Sequence, residues 1–472
     1  MSWIPKMTKT PDFPKTSVTW PRSTEARWAP FPSLGNSTPS LFIRLAPIIF
    51  FVTYLTVTVL LFAFGPWPYR VNNGVKLYTF LAAAHIALLT GYLSVIKRRA
   101  QGYGGRWSLK KVVLAALIVN FALLIPSAMF RVGTSSKDVI TGTASLGEAY
   151  STSNVARVDK TPVIEYVRFL FGPLLALLLP LAVFYWHVLP KRVRVFSLLF
   201  VFAFVGMFVL MGTNAGLALM LLECPWLFVA SKFAGYRESR KTQWHVKLAI
   251  AVGATASVIL FFFFFAATQI SRQGAGFTGE YTRAGDVYAD DENFMIRNLE
   301  GVPKIGVLSL TSYLTQGYYA VDLAFDKPWV PTFGVGNSFF LTRQAVRITG
   351  VTSLEQAPYP MRIEDEGWDA FGEWSTIYPW IASDVSFPGT IVVVFLIGRL
   401  FALCWLDTLE GENPFAVGMF AQFIIMLSYF NANNQCLSGG EGLSGFVVLL
   451  ILWLSTRRKL PAHGARRKWI WN

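Results

Sequence analysis

Ten hydrophobic runs, most of them long enough to cross a bilayer, decide what this chain can fold into. A helix needs about 20 mostly apolar residues to span the hydrocarbon core of a membrane. The runs cover residues 45–65, 77–96, 111–130, 166–188, 195–212, 214–231, 248–269, 389–406, 414–431 and 444–456. The last run is short, and its helix is expected to extend into the Gly-rich stretch before it. The sequence therefore predicts an all-α integral membrane protein with about ten transmembrane helices.

The composition supports this class of protein. Only 15% of the 472 residues are charged and 53% are hydrophobic, whereas soluble domains carry roughly 25% charged residues. These values exclude a soluble enzyme, a disordered regulator and a fibrous protein. Cys224 and Cys404 lie within or at the ends of hydrophobic runs and Cys436 has no obvious partner, so no disulfide is expected.

Clusters of Lys and Arg between the hydrophobic runs predict the orientation in the membrane. They follow the second, fourth, sixth and last runs, at Lys97, Arg98, Arg99, Arg106, Lys110, Lys111, Lys191, Arg192, Arg194, Lys232, Arg237, Arg240, Lys241, Lys247, Arg457, Arg458, Lys459, Arg466, Arg467 and Lys468. Cytoplasmic loops carry an excess of Lys and Arg, so residues 1–44 and 457–472 are predicted to be basic cytoplasmic tails. The acidic loop 407–413 departs from this pattern only mildly, because acidic residues contribute little to the orientation of a membrane protein. We attribute the net charge of +15 to orientation and expect no nucleic-acid partner.

Residues 270–388 form one long segment between the seventh and eighth runs. The segment carries eight basic and fifteen acidic side chains, which gives it a charge of −7 in a basic chain. Seven predicted helices, within residues 45–269, precede it, so it is expected to lie outside the cytoplasm, with helices eight to ten following within 389–456. Its many aromatic residues and its regular hydrophobic positions indicate an ordered, mostly helical loop.

Two features of this loop suggest contacts with membrane lipid. Residues 305–325 carry apolar side chains at helical spacing, which predicts a helix lying in the membrane interface with Tyr313, Tyr318 and Tyr319 at headgroup depth. Arg272 is placed just past the seventh helix, and Arg283 and Arg297 follow it. Guanidinium groups bind phosphate oxygens bidentately and keep their charge. These arginines are therefore candidates for binding an anionic headgroup, the alternatives being interfacial anchoring of Arg272 and internal salt bridges.

Charged residues inside the hydrophobic runs are few. Glu165 and Arg168 are spaced for an ion pair at the start of the fourth helix, and His85 is interpreted as a core histidine. Ion-coupled transporters usually carry a relay of acids at mid-membrane, and this chain lacks one. The acidic clusters 290–292 and 364–369 do not have metal-ligand spacing. Sequence motifs for nucleotide binding, zinc hydrolysis or a nucleophilic serine are missing, so we expect no cofactor and no metal.

Three stretches of the loop resemble a known family. The first is Leu310-Thr-Ser-Tyr-Leu-Thr-Gln-Gly-Tyr-Tyr-Ala320, which is similar to a Tyr-x-x-x-Gly stretch of oligosaccharide repeat-unit polymerases. The second is Phe333-Gly-Val-Gly-Asn-Ser-Phe-Phe340. The third is Glu373-Trp-Ser-Thr-Ile-Tyr-Pro-Trp-Ile-Ala-Ser-Asp384, followed by Gly389 and Gly398-Arg399. Where the family often has Asp-Phe-Gly, this chain has Asp384-Val-Ser-Phe-Pro-Gly389. The chain thus resembles the Wzy-type O-antigen and exopolysaccharide polymerases.

The resemblance implies a glycosyltransferase of the bacterial inner membrane whose large loop is periplasmic. Such an enzyme moves a growing glycan from polyprenyl diphosphate to a new lipid-linked repeat unit, and it needs neither nucleotide nor metal. Its implied partners are polyprenyl-diphosphate-linked oligosaccharides, membrane lipid and a chain-length regulator. The residues assigned to this chemistry are Arg272 for the leaving group, Asp384, Glu373 or Asp369 as base, and Arg283, Arg297, Arg343, Tyr313, Tyr318, Trp374 and Tyr378 for substrate binding.

Two alternatives stay open at this point. An O-antigen ligase has a similar architecture and donor, but it is expected to carry a histidine in the periplasmic loop, and this loop has none. A polysaccharide flippase or other transporter is expected to have short loops and inward-facing charge, which the long segment 270–388 argues against. The polymerase is the preferred interpretation.

Overall fold

The structure is a computed structural model that describes residues 39–131, 145–150, 163–235, 244–274, 276–370 and 372–458. Most of these residues are helical. The helices are α1 Leu41–Phe64, α2 Gly74–Leu93, α3 Leu109–Arg131, α4 Val163–Phe184, α5 Lys191–Leu210, α6 Ala215–Phe233, α7 Trp244–Gln273, α8 Gly301–Ala324, α9 Phe339–Thr349, α10 Tyr359–Arg362, α11 Ile377–Glu410, α12 Pro414–Ser428 and α13 Gly440–Thr456. Two short antiparallel pairs join β1 Gly102–Tyr103 to β4 Arg457–Arg458 and β2 Tyr281–Thr282 to β3 Val287–Tyr288.

Eight of the described helices, α1 to α7 and α11, are long and apolar enough to cross a membrane. This confirms a mostly helical protein with the several apolar helices of a multi-pass membrane protein. The remaining two predicted spans correspond to α12 and α13, which are apolar but only 15 and 17 residues long. The total of ten spans stays a prediction.

Helix α12 is short because it lies inside the protein rather than against lipid. Every residue from Pro414 to Leu427 is buried. Its start is fixed by Asn413, whose side-chain oxygen accepts hydrogen bonds from the backbone N–H groups of Phe415 and Ala416. Residues 429–439 then continue as irregular, mostly buried backbone before α13 begins. Irregular backbone at membrane depth is tolerated only where protein covers it or where it lines a cavity.

Asp407, at the end of α11, organises one end of the helical bundle. Its carboxylate accepts hydrogen bonds from the backbone N–H of Gln101 at 2.8 Å, from Trp453 Nε1 at 2.9 Å and from Arg457 Nε at 2.7 Å. The loop after α2, the end of α11 and the end of α13 therefore meet here, beside the β1–β4 pair. We call this the tail end. Residues 1–38 and 459–472 of the predicted tails lie outside the described residues.

The opposite end, called the loop end, is formed by residues 65–73, 276–370 and the start of α11. The carbonyl of Pro66 accepts the backbone N–H of Asp290 at 2.8 Å. The buried carboxylate of Asp322 accepts the backbone N–H groups of Asn72 and Asn73, each at 2.8 Å. Helix α2 separates the two ends, so Arg457 and Arg458 lie beside the loop after α2, away from the acidic segment.

Helix α8 differs from the predicted interfacial helix. Residues 315–324 are buried on every side, so this half has no face for lipid, and the helix as a whole packs against α1, α7 and α11. Tyr318 is fully buried and shares a 2.8 Å hydrogen bond with Thr58 of α1. At Gly317 a Cβ atom would meet the carbonyl oxygen of Asn431 at 2.6 Å. The close approach permitted by this glycine draws α8 into the bundle, a contact that hydrophobic spacing does not reveal.

Helix α11 also begins earlier than the hydrophobic run that predicted it. Its first part starts at Ile377, where the Thr376 side chain caps the helix, and a kink follows at Ser386, with φ 64° and ψ 168°. Pro388 lacks a backbone N–H and restricts the residue before it, which explains a break at this position. Residues 377–385 therefore belong to the loop end, and the longer apolar part continues through the bundle.

Candidate active site

Glu373 has the most unusual environment of the candidate residues. Its side chain is only 7% exposed. Oε2 accepts a long 3.4 Å contact from the backbone N–H of Asp369, whereas Oε1 is buried without a hydrogen-bond partner among the described residues. Burial raises the pKa of this carboxyl from 4.5 to about 7, against the opposing charge of Arg283. A group with this pKa can gain or lose a proton near neutral pH.

The walls around Glu373 come from separate parts of the chain. The rings of Tyr69 and Tyr319 stack with centroids 5.6 Å apart. Both tyrosines lie within electrostatic reach of Glu373. The β2–β3 hairpin lies over Tyr319 at Gly285, which has φ 76° and where a Cβ would lie 3.1 Å from the tyrosine ring. This turn therefore requires glycine, and it positions exposed Arg283 near the carboxyl.

Trp374, next to Glu373 in sequence, is 38% exposed. Among the predicted substrate-binding aromatics, it retains a substantial exposed surface, whereas Tyr318 and Tyr378 are buried. Aromatic faces of this kind pack well against the apolar faces of ligands. Glu373 and Arg283 are thus two predicted residues that the fold brings within electrostatic reach of each other. We call the region around them, with Trp374 next to Glu373 in sequence, the acid site.

Asp384 lies in a different setting. Its carboxylate accepts hydrogen bonds from Thr332 Oγ1 at 2.5 Å, from the backbone N–H groups of Gly334, Gly336 and Asn337 at 2.8, 3.0 and 3.0 Å, and from Asn337 Nδ2 at 2.7 Å. Five donors occupy most of the acceptor capacity of a carboxylate. This geometry favours a role in holding the 332–337 loop over a role as a catalytic base.

Arg272 lies within the last turn of α7, not past its end as the sequence suggested. Its Nε and Nη2 donate to the carbonyl oxygen of Gly212 at 3.0 and 2.6 Å, and its guanidinium lies 4.0 Å from the centre of the Tyr150 ring. The neighbouring Ser271 Oγ accepts the backbone N–H of Gly147 at 2.9 Å. Arg272 thus ties the α5–α6 turn and residues 145–150 to the end of α7.

A second polar region lies on another face of α8. Tyr313 interacts electrostatically with Arg272, Tyr54 and Tyr429. The hydroxyl of Tyr54 donates to Asn431, whose amide in turn donates to the carbonyl of Leu314 at 2.8 Å. Tyr313 lies about 100° or more around the helix from Ser312, Thr315 and Tyr319, which face Tyr69. Arg272 and Glu373 therefore flank α8 on different faces.

The other predicted substrate residues are dispersed. Arg297 is exposed, and Arg343 lies on α9 with its guanidinium 5.6 Å from the Phe339 ring. Tyr378 is buried, with the Phe80 and Phe430 rings each 5.3 Å away. Tyr378 and the equally buried Tyr318 pack against protein, which argues against direct contact with a substrate.

Sequence reasoning did not find two polar features of the bundle. Arg168 binds Glu441 on α13, with its Nε 2.8 Å from Oε2, and also donates to Ser127 on α3 at 2.5 Å, so it links α4 to two other helices. The irregular stretch 429–439 was placed partly in a hydrophobic run, although its Asn431-Ala-Asn-Asn-Gln435 sequence is polar. The sequence did contain a signal for this irregular stretch, namely a polar run between two short hydrophobic runs.

Comparison of the chain with protein-family models, with curated proteins and with solved structures finds no match. Within the part of the chain that the structure describes, no group of three or more His, Cys, Asp or Glu side chains is arranged to hold a metal ion.

Proposed function

We propose that this protein is a membrane glycosyltransferase that joins polyprenyl-diphosphate-linked oligosaccharide repeat units into a polysaccharide. The observation that carries the proposal is the buried Glu373 carboxyl, with its pKa of about 7, within electrostatic reach of Arg283 and followed in sequence by the exposed Trp374. The resemblance of residues 310–320, 333–340 and 373–384 to repeat-unit polymerases supplies the reaction class.

Glu373 is assigned as the general base. The acceptor sugar hydroxyl must lose its proton as it attacks the anomeric carbon of the donor glycan, and a positioned group with a pKa near the working pH does this best. Oε1 has no hydrogen-bond partner among the described residues and is buried, so Glu373 must turn towards the acceptor hydroxyl, a movement that breaks no hydrogen bond at Oε1. Asp384 is assigned instead to loop positioning, because its oxygens are already engaged.

The leaving diphosphate requires positive charge at the membrane surface. Arg283 is assigned to supply this charge, because its guanidinium already acts electrostatically on Glu373. Arg297, Arg343 and the remaining donors of Arg272 are assigned to holding the two lipid-linked substrates, because guanidinium groups suit phosphate oxygens. Nucleotide is unnecessary, since the donor arrives activated by its lipid diphosphate.

The proposed orientation places both termini in the cytoplasm and the loop end in the periplasm of a bacterial inner membrane. The Lys/Arg clusters support this orientation, and their grouping at the tail end is consistent with it. Lipid-linked repeat units presented on the periplasmic face are then accessible to the acid site. A chain-length regulator is the protein partner that this reaction class implies.

The test is reconstitution of the purified protein with lipid-linked repeat units in liposomes. A polymerase converts them into a ladder of lipid-linked glycans, with and without a chelator. A ligase forms no ladder but transfers glycan to added lipid A core, and a transporter forms no new glycosidic bond at all. Either of the last two outcomes overturns the proposal, whereas chelator-sensitive polymerisation overturns its metal independence.

A further inference from the structure

Glu223 is a carboxyl group inside the membrane-spanning part of the bundle that the proposed reaction does not use. It is the only acidic residue in the hydrophobic run 214–231 and is 4% exposed. It lies eight residues after the start of α6, about 12 Å along the helix axis at 1.5 Å per residue. A hydrocarbon core is about 30 Å thick, so this depth is well inside it.

The face of α6 that carries Glu223 points into the protein. Trp226, three residues later and therefore on the same side of the helix, lies 6.2 Å from the Phe51 ring of α1 and 6.3 Å from the Trp405 ring of α11. Helix α6 also packs against α4, α5 and α12. The carboxyl is thus enclosed by helices rather than directed towards lipid.

Among the described residues, no positively charged side chain neutralises this carboxyl. Across residues 39–131, 145–150, 163–235, 244–274, 276–370 and 372–458, Glu223 has no hydrogen bond or ion pair. The titratable groups within electrostatic reach are Cys224 on the same helix and Cys436 in the 429–439 stretch. Cys436 donates its Sγ–H to the carbonyl of Gln422, another buried polar residue, at 3.5 Å. All of these groups are neutral or acidic.

An isolated carboxylate in such surroundings is strongly destabilised by the loss of water, and intramembrane acids usually mark binding or transport pathways. We propose that Glu223 binds a monovalent cation, either a proton or an alkali-metal ion, inside the helical bundle. The carboxyl supplies the charge. Cys436, within its electrostatic reach, belongs to the polar 429–439 stretch, which meets the loop end where Asn434 Nδ2 donates to the carbonyl of Asn337, so we assign this stretch as the route of the cation. The inference depends on the surroundings of Glu223 alone and is independent of the proposed glycosyl transfer.

The experiment compares melting temperatures of purified wild-type protein and Glu223→Gln across pH 5–9 in choline, sodium and potassium chloride. A shift of several degrees in the wild type that is lost in Glu223→Gln supports the site. A dependence on pH alone identifies the proton, and a dependence on Na⁺ or K⁺ at fixed pH identifies the alkali ion. Identical responses of the two proteins overturn the proposal. The matched control is Glu364→Gln, which changes an exposed acid of the loop end.

A second measurement needs no variant. Dicyclohexylcarbodiimide, an apolar reagent that modifies protonated carboxyls, is applied to the wild-type protein, and Glu223 is examined by peptide mass spectrometry. Labelling that declines as pH rises, or that Na⁺ or K⁺ prevents, supports the site. Absence of labelling at every pH in choline chloride overturns it.

Discussion

Arg272 donates two hydrogen bonds, at 3.0 and 2.6 Å, to the carbonyl oxygen of Gly212. Gly212 has φ 63° and closes the α5–α6 turn, where a Cβ would lie 2.0 Å from the carbonyl oxygen of Leu146. The forked guanidinium therefore fixes a turn that has no room for a larger residue. This contact gives Arg272 a structural task alongside the phosphate-binding role proposed for it.

We expect Arg272→Ala to lower thermal stability, because a hydrogen bond from a charged group contributes about 1.5–3 kcal/mol. Arg272→Lys should be intermediate, since an ammonium cannot reproduce the two-pronged contact. Fluorescence-detected size-exclusion chromatography after heating measures both variants. Arg297→Ala, which removes an exposed arginine, serves as the control and should melt like the wild type. Unchanged stability of Arg272→Ala together with lost polymerisation would show that diphosphate binding is its main role.

Replacing Asp384 with Asn should release the 332–337 loop. An amide offers one oxygen as acceptor, and its NH₂ group faces backbone N–H donors that no longer have a partner. The expected result is faster proteolysis within 332–337 and a melting temperature lower by several degrees, with Asp365→Asn as the exposed control. If Asp384→Asn keeps the proteolysis pattern of the wild type but loses all activity, Asp384 acts as a catalytic group instead.

The orientation can be tested with single cysteines at the two ends of the bundle. Glu292→Cys, at the exposed surface of the loop end, should react with a membrane-impermeant maleimide in intact spheroplasts. Arg458→Cys, in β4 at the tail end, should react only after the membrane is opened. The unmodified chain, whose cysteines are buried or half-buried, gives the background. Protection of Glu292→Cys would place the acid site in the cytoplasm and remove the functional proposal.

The spans were predictable because length and hydrophobicity are local properties. The sequence located α1 to α7 and the apolar part of α11 for this reason. It did not locate the start of α11 at Ile377 or the burial of α8, because these depend on contacts such as Gly317 with Asn431, made between segments more than 100 residues apart.

The candidate site was predictable only in part, for the same reason. Acidic and aromatic residues near 373 were chosen from their type and from the family resemblance. What separates Glu373 from Asp384 is the supply of hydrogen-bond donors, which depends on where residues 332–337 fold. Spacing along the chain contains no information about that supply.

Glu373→Gln should abolish polymerisation while leaving the fold intact, because an amide cannot accept the proton of the acceptor hydroxyl. In the wild type the base must be ionised, and its pKa is about 7. The rate at low substrate concentration should therefore rise about tenfold per pH unit below that value and level off above it. The reconstituted assay across pH 5–9 measures this profile. Glu364→Gln, an exposed acid of the same segment, should reproduce the wild-type profile.

The pH dependence of folding stability tests the Glu373 carboxyl in a second way. Between pH 4.5 and 7 the folded carboxyl keeps its proton while the unfolded chain releases it, since burial raises the folded pKa from 4.5 to about 7. Rising pH through this window therefore lowers the stability of the wild type, by a few kcal/mol at most, since one pKa unit is about 1.4 kcal/mol. Glu373→Gln lacks this loss, so its advantage in melting temperature should be small at pH 5 and largest at pH 8. A variant that is inactive and also less stable than the wild type at pH 8 would identify Glu373 as a structural residue.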